Sequence, residues 1–527
     1  MQVVHSRPQP LARSARRAIW ASAGSMGFVA VVAATPRSPF PAILPRGYEP
    51  TGPLRWLADL LFLHNLGDTG LMLLGLLAMV STGVAFLMVL REAWHGRLPM
   101  RAVAIVAVAF HVIVLTLPLL FSRDVYSYAY YGRIVSTYNA NPYIATPDDF
   151  PLNSLFGYTW PGWRATPSVY GPLFTWLSAA LTTVTKSVPS LITVFQLVAA
   201  AASLGTMAIV ARTVGRVRPE RAVFAAAIIG LNPVVVFHVV GGGHNDIFLA
   251  LFLAAAVMAL FAGRDVWAAV ALGLAMSVKA SAFVPLVLLI VAIVAKAPPE
   301  RRTRTALTVG GLASATWLVL AIPFLQAKNW SLGLIDVADN DSWMASGQIV
   351  VRAFSFVGGL IGGDPVAGPM EVLARLILFA TAAMIIAVLA RRIWRDPDAR
   401  RPEALIAAWG WGFLAVLLLS PVMYSWYLMW VLPIAWVLPR VPRRSLVIMS
   451  AVLVASQLVT ESANIPGDLS EVNLAFGHPV TIVVAIWVGR EFLRYVRAQR
   501  AWDAERDGPV FGDSFEDGSR RVMQLPT

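Results

Sequence analysis

The chain has 527 residues, of which 57% are hydrophobic and 13% charged, and it contains no cysteine. A soluble domain carries roughly a quarter charged residues, so an ordinary soluble protein is excluded; the missing thiols exclude disulfides, thiolate metal sites and thiol redox chemistry. The net charge of +13 does not indicate nucleic acid, because placing the basic connections in the cytoplasm puts 31 of the 42 lysines and arginines there. That is the positive-inside asymmetry, which needs no polyanionic partner.

Apolar runs of about 20 residues recur along the chain, each able to cross a hydrocarbon core of roughly 30 Å. They are too long and too uniformly apolar for barrel strands. The expected fold is therefore all-α, a polytopic protein of the plasma membrane surrounded by lipid. In chain order the hydropathy predicts spans near 18–34, 69–90, 102–121, 190–211, 223–240, 245–262, 266–280, 283–297, 305–324, 371–391, 403–420, 425–440, 445–461 and 478–497. That gives about 13–14 crossings with both termini cytoplasmic. The first run follows Arg13, Arg16 and Arg17 and reads as an uncleaved anchor. The proline-rich stretch 35–68 suits a helix lying in the interface. A crossing at 171–186 would reverse the charge asymmetry from Arg212 onward, so that run is expected to be re-entrant. The division expected is 1–17 as a cytoplasmic N-terminus, 18–497 as one transmembrane domain and 498–527 as a disordered cytoplasmic tail.

The longest polar and aromatic connection, 122–172, is expected on the extracytoplasmic side and over the active site. It contains Arg123-Asp124-Val125-Tyr126-Ser127-Tyr128, Asn141-Pro142-Tyr143 and Tyr170-Gly171-Pro172. Asp124 follows an apolar span, and Tyr128 and Tyr131 lie four and seven residues on, on its helical face. A carboxylate between apolar span and aromatic surface should have a raised pKa, which suits a general base; the alternative is a helix cap beside a snorkelling Arg123. Gly241-Gly242-Gly243-His244-Asn245-Asp246 offers close backbone approach to a ligand, or else an ordinary turn capping the next helix. Lys279, at the end of a short span, either meets an anionic ligand or snorkels to water. Arg352 is a further candidate for phosphate. Asp339 and Asp341 would hold a divalent cation if they are more than solvated carboxylates. The run Ser420–Tyr427 reads mainly as an interfacial aromatic belt, with some rings available to line a groove.

Together with Asn232-Pro233 and Tyr170-Gly171-Pro172-Leu173, these motifs resemble the polyprenol-phosphate-mannose-dependent α-1,6-mannosyltransferases of actinobacterial envelopes, in the GT-C superfamily. The resemblance runs from about 60 to 490. It implies a GT-C-type fold whose first large extracytoplasmic loop carries the catalytic aspartate, here Asp124. It also implies inverting transfer of mannose from a polyprenyl-phosphate donor to a growing mannan or lipoglycan acceptor. The phosphate linkage is already a good leaving group, so one base and a set of cations would suffice. Lys279, Arg123, His244 and Arg352 are the candidates for the donor phosphate; Tyr128, Tyr131, Asn245, Asp246 and Tyr170 are those for substrate. Another polyprenyl-phosphate sugar (arabinose or glucose) and a multi-span transporter are the alternative readings.

Overall fold

The computed structural model describes residues 11–42, 54–325, 345–458, 479 and 482–497. Among these residues the elements are helical, and the one extended pairing is a single antiparallel bridge between Pro41 and Leu120. Among the described residues five helices are long and apolar enough to cross a membrane: Asp68–Trp94, Val188–Val217, Pro299–Phe324, Asp364–Arg395 and Pro402–Leu419. The protein is thus an all-α polytopic membrane protein. Asp364–Arg395 and Pro299–Phe324 bury only 22% of their most apolar window. Leu376, Phe379 and Met384 stand exposed there, a surface suited to lipid rather than water.

Several of the fourteen predicted spans take a different form. Met100–Leu115, Asp246–Phe261, Asp265–Met276 and Phe283–Lys296 have 16, 16, 12 and 14 residues. At about 1.5 Å per residue such helices fall short of the hydrocarbon thickness. The predicted span 425–440 is a series of tight turns, Ser425–Trp430 and Leu432–Ile434. The predicted span 223–240 is a pair, Ala222–Gly230 and Val234–Val240, within a unit bent by 41°. Its break has a local cause. Pro233 has no N–H and its ring disfavours the carbonyl one turn back, while the Asn232 side chain accepts the Val234 N–H at 2.9 Å and donates to Ser450 Oγ at 2.9 Å. The second half is wound as a π-helix, a form associated with functional sites. The 13-residue helix Pro172–Val184 occupies the stretch expected to be re-entrant.

These short elements converge below the 122–172 connection. Phe121, the residue before it, has a φ of +61°, an uncommon conformation for a bulky side chain. It is held there by a backbone bond to Phe40 (2.8 Å) and by rings on both sides, Phe40 at 5.5 Å and His238 at 4.6 Å. The turn lifts the chain out of Met100–Leu115 and starts a new helix, Asp124–Ser136.

The tyrosines of this helix are interior rather than a surface. Tyr126, Tyr128, Tyr130 and Tyr131 are all at most 3% exposed. Tyr130 donates to the carbonyls of Pro147 and Phe150, Tyr131 to that of Thr166, and Tyr143 to that of Tyr170. Arg133, also buried, bonds Asn153, Ser154 and the Lys186 carbonyl. Buried polar groups must find partners, and these tie the long connection to its own helix.

Candidate active site

Asp124 is the first residue of Asp124–Ser136, and the N-cap residue Arg123 makes no capping side-chain bond. Its N–H donates to Ser122 Oγ at 3.2 Å. The carboxylate, 26% exposed, has Oδ2 3.6 Å from His244 Nδ1. One turn along the helix, the Tyr128 hydroxyl lies 3.5 Å from the same Oδ2 and 3.3 Å from His244 Nδ1. Burial pushes the Asp124 carboxyl up to about 6, with the Lys279 charge opposing and the Asp246 charge adding to the rise. An acid with a pKa just below neutral is well matched to general-base work. Burial and the same carboxylate raise the Tyr128 phenol well above its ordinary value, so Tyr128 serves as a hydrogen-bond donor.

His244 belongs to the glycine turn between Val234–Val240 and Asp246–Phe261. Gly243 there has a φ of +67°, which favours glycine, and a Cβ on it would press on Val125 at 3.1 Å. Gly241 offers its carbonyl to the Leu120 N–H and to the Gln196 amide. The turn is thereby fastened directly to the segment carrying Asp124. The His244 ring is fully buried and stacks on Trp426 at 3.7 Å, which stacks on Tyr424 at 4.7 Å. Burial holds the imidazole well below its usual pKa, and the His238 and Lys279 fields add to this. It is neutral and offers a hydrogen bond rather than a cation. Its Nε2 and both amide atoms of Asn245 are buried without a partner among the described residues. Asn245 precedes the helix Asp246–Phe261 but makes no capping bond.

Asp246, also fully buried, accepts from Lys279 Nζ at 2.8 Å and from Trp430 Nε1 at 2.6 Å. The Lys279 ammonium lies over Tyr427 at 4.1 Å and Trp430 at 5.4 Å, a cation–π setting. A fifth of its side chain is still exposed. The aromatic stretch expected mainly as an interfacial belt thus packs directly on the polar cluster. Trp430 was not among the sequence candidates; the crowding of Trp426, Tyr427 and Trp430 ahead of Pro433 was the available signal.

The Tyr170-Gly171-Pro172 motif docks beside Lys279. The Gly171 N–H donates to the Val278 carbonyl and the Leu173 N–H to that of Ser277, at 3.0 and 2.9 Å. A Cβ at Gly171 would lie 2.2 Å from Ser277 O. Gly171→Ala should therefore part the two segments and lower stability by about 1–3 kcal/mol, read as a lower thermal midpoint in detergent. Gly67→Ala, which meets nothing within 4 Å, is the control and should leave the midpoint unchanged.

The remaining candidates are distributed unevenly. Arg123 stands next to Asp124 with its guanidinium 5.4 Å from Trp160, itself 49% exposed. Tyr170 packs edge-on against Tyr128 at 4.9 Å and is 9% exposed. Tyr131 is turned to the Thr166 carbonyl. Arg352 is exposed on Ser346–Gly362, and no described contact joins it to the cluster around Asp124. Asp339 and Asp341 lie outside the described residues. Among the described residues no three His, Asp or Glu side chains gather as a metal site would need. What comes together is an accessible carboxylate with a neutral imidazole, and an accessible ammonium backed by a buried carboxylate, between aromatic walls.

Comparison with known proteins gives this geometry a context. Residues 23–295 match the sequence model described as "Alpha-(1->6)-mannopyranosyltransferase, N-terminal domain". The chain is 25% identical over 389 residues to alpha-(1->6)-mannopyranosyltransferase A of Mycobacterium tuberculosis, covering 69% of this chain and 71% of that protein. It is 28% identical over 354 residues to alpha-(1->6)-mannopyranosyltransferase B of Corynebacterium glutamicum, covering 61% of this chain and 56% of that one. No solved structure matches. With the family match extending over more than half of its length and reaching from the first helix past Asp124, the glycine turn and Lys279, this chain belongs to the alpha-(1->6)-mannopyranosyltransferase family of membrane hexosyltransferases.

Proposed function

We propose that the protein is an inverting mannosyltransferase taking mannose from a polyprenyl-phosphate donor to an α-1,6-mannan or lipoglycan acceptor on the extracytoplasmic side. An acceptor hydroxyl oxygen attacks the anomeric carbon, the bond from that carbon to the phosphate oxygen breaks, and polyprenyl phosphate leaves with the electron pair. The hydroxyl proton passes to Asp124. Attack opposite the phosphate turns a β-linked donor into an α-linked product. Lys279 and Arg123 are the accessible cations beside the base, suited to the charge that develops on the leaving phosphate. Tyr424, Tyr427 and Trp160, all partly exposed, are the rings available to a sugar.

The observation that carries this reading is the pairing of Asp124, 26% exposed and with a pKa near neutrality, with a lysine close enough for its charge to act on it. No acid is needed on the leaving side, unlike glycoside hydrolysis. The positive-inside charge distribution supports the side assigned to the loop. The test is a membrane assay with labelled polyprenyl-phosphate mannose and short α-mannosides, wild type beside Asp124→Asn. Product formation that depends on the donor and on Asp124 is expected; equal transfer by both proteins would overturn the assignment of the base.

A further inference from the structure

The end of the protein remote from Asp124 carries a cluster that the transfer reaction does not use. Asp68, at the start of Asp68–Trp94, pairs with Arg37 at 3.1 Å, and Gly75, about two turns further, packs on Pro39 and Phe40 beside Phe121. That end of the helix therefore lies on the Asp124 side. Its 27 residues, at about 1.5 Å each, carry Trp94 roughly 40 Å away to the opposite side. There the indole of Trp94 meets Phe224 edge-on at 5.0 Å and receives two guanidinium groups: Arg221 at 3.4 Å and Arg443 at 4.2 Å from the ring centre.

Two cations on one ring repel each other, and the surroundings do little to offset this. Arg443 also feels the charges of Arg440 and Arg444. The carboxylate whose field reaches Arg221 is its neighbour Glu220, at no ion-pairing distance. Arg218 is taken by Glu403 at 3.0 Å, and Glu92 by Arg97 and Ser14. Among the described residues neither Arg221 nor Arg443 has a carboxylate partner; Arg443 spends one N–H on the Leu438 carbonyl. The cluster lies where Asp68–Trp94 ends and where Ala222–Gly230 and Arg440–Leu453 begin. A partly exposed tryptophan at a helix end marks headgroup depth, and paired guanidinium forks match phosphate oxygens.

We infer that Arg221 and Arg443, spread against Trp94, form a binding site for the phosphodiester headgroup of an anionic membrane lipid on the side opposite the catalytic cluster. The site is independent of the mannosyl-transfer reading. It is tested on the full chain in neutral detergent by native mass spectrometry with phosphatidylglycerol or phosphatidylcholine. Wild type should hold phosphatidylglycerol at least about 10-fold more tightly than phosphatidylcholine, and Arg221→Gln with Arg443→Gln should remove that preference. Retention of the preference by this double variant overturns the site. If it does not purify as a single species, Arg221→Lys with Arg443→Lys keeps both charges without the flat fork. That pair should bind phosphatidylglycerol at least about 3-fold more weakly than wild type, and unchanged binding overturns the site equally. Inorganic phosphate at about 10 mM should leave the lipid in place; its displacement would assign the site to free phosphate and overturn the lipid source.

Discussion

Asp124→Asn is expected to reduce mannosyl transfer by about 10²–10⁴-fold, the contribution of a positioned general base, without loss of expression or thermal stability. The two halves of this result have one cause. Burial raises the Asp124 carboxyl from 3.8 to about 6, so folding disfavours its ionised form. A group shifted upward supports the folded state fully below its unfolded pKa and loses that support as pH rises through its folded one. Asn, neutral throughout, should hence leave stability at pH 7 equal or slightly higher. Transfer needs the ionised carboxylate and should fall as pH drops through about 6, while the Asp124 contribution to stability grows over the same window. Opposite trends in a pH series of initial rates and thermal midpoints are the signature. A variant that loses transfer only because it loses stability would dismiss Asp124 as the base, as would Asp124→Asn membranes retaining most of the wild-type rate.

Lys279 gives the second large effect, and it needs a cycle rather than one substitution. Lys279→Met strands the fully buried Asp246, whose remaining described partner is the Trp430 N–H. Removing one member of a buried pair costs about 3–5 kcal/mol, enough to depress activity for purely structural reasons. Asp246→Asn should cost less, because Lys279 is 20% exposed and reaches water. Combining Lys279→Met with Asp246→Asn removes the stranded charge and should restore most of the lost thermal stability. Transfer by the double variant should nevertheless stay low, with KM for the donor raised about 10-fold or more and KM for the acceptor little changed, as loss of a charge-assisted contact to phosphate predicts. Recovery of both stability and transfer would make Lys279 a purely structural partner of Asp246.

The parts of this site legible in the sequence were those whose chemistry stands out against lipid-soluble helix. Asp124, His244, Asp246 and Lys279 are charged or polar residues at the ends of apolar runs, and the structure gathers them although up to 155 positions separate them in the chain. Pairings were not legible. Nothing in the spacing said that Lys279 would rest on Asp246, or that His244 would be walled in by Trp426 and left neutral, because both depend on tertiary packing. The tyrosines misled for a related reason. Helical spacing put Tyr128 and Tyr131 on the face of Asp124, but could not say that the connection 137–171 would fold back over them and claim the Tyr131 hydroxyl. The all-α membrane class followed from composition, whereas the short and bent elements did not: hydropathy registers apolar length and is blind to the Asn232-Pro233 break.

The pKa of Asp124 also bears on how the enzyme would reset. If Asp124 takes the acceptor's proton, each turnover leaves it neutral, next to a lipid monoester that has just gained an ionisable oxygen. The second dissociation of a phosphate monoester lies near 6, close to that of the carboxyl. Base and departing lipid would then share the proton almost evenly, so the proton can leave with the spent carrier. The catalyst would be recharged by losing its product, with no separate path to bulk water required.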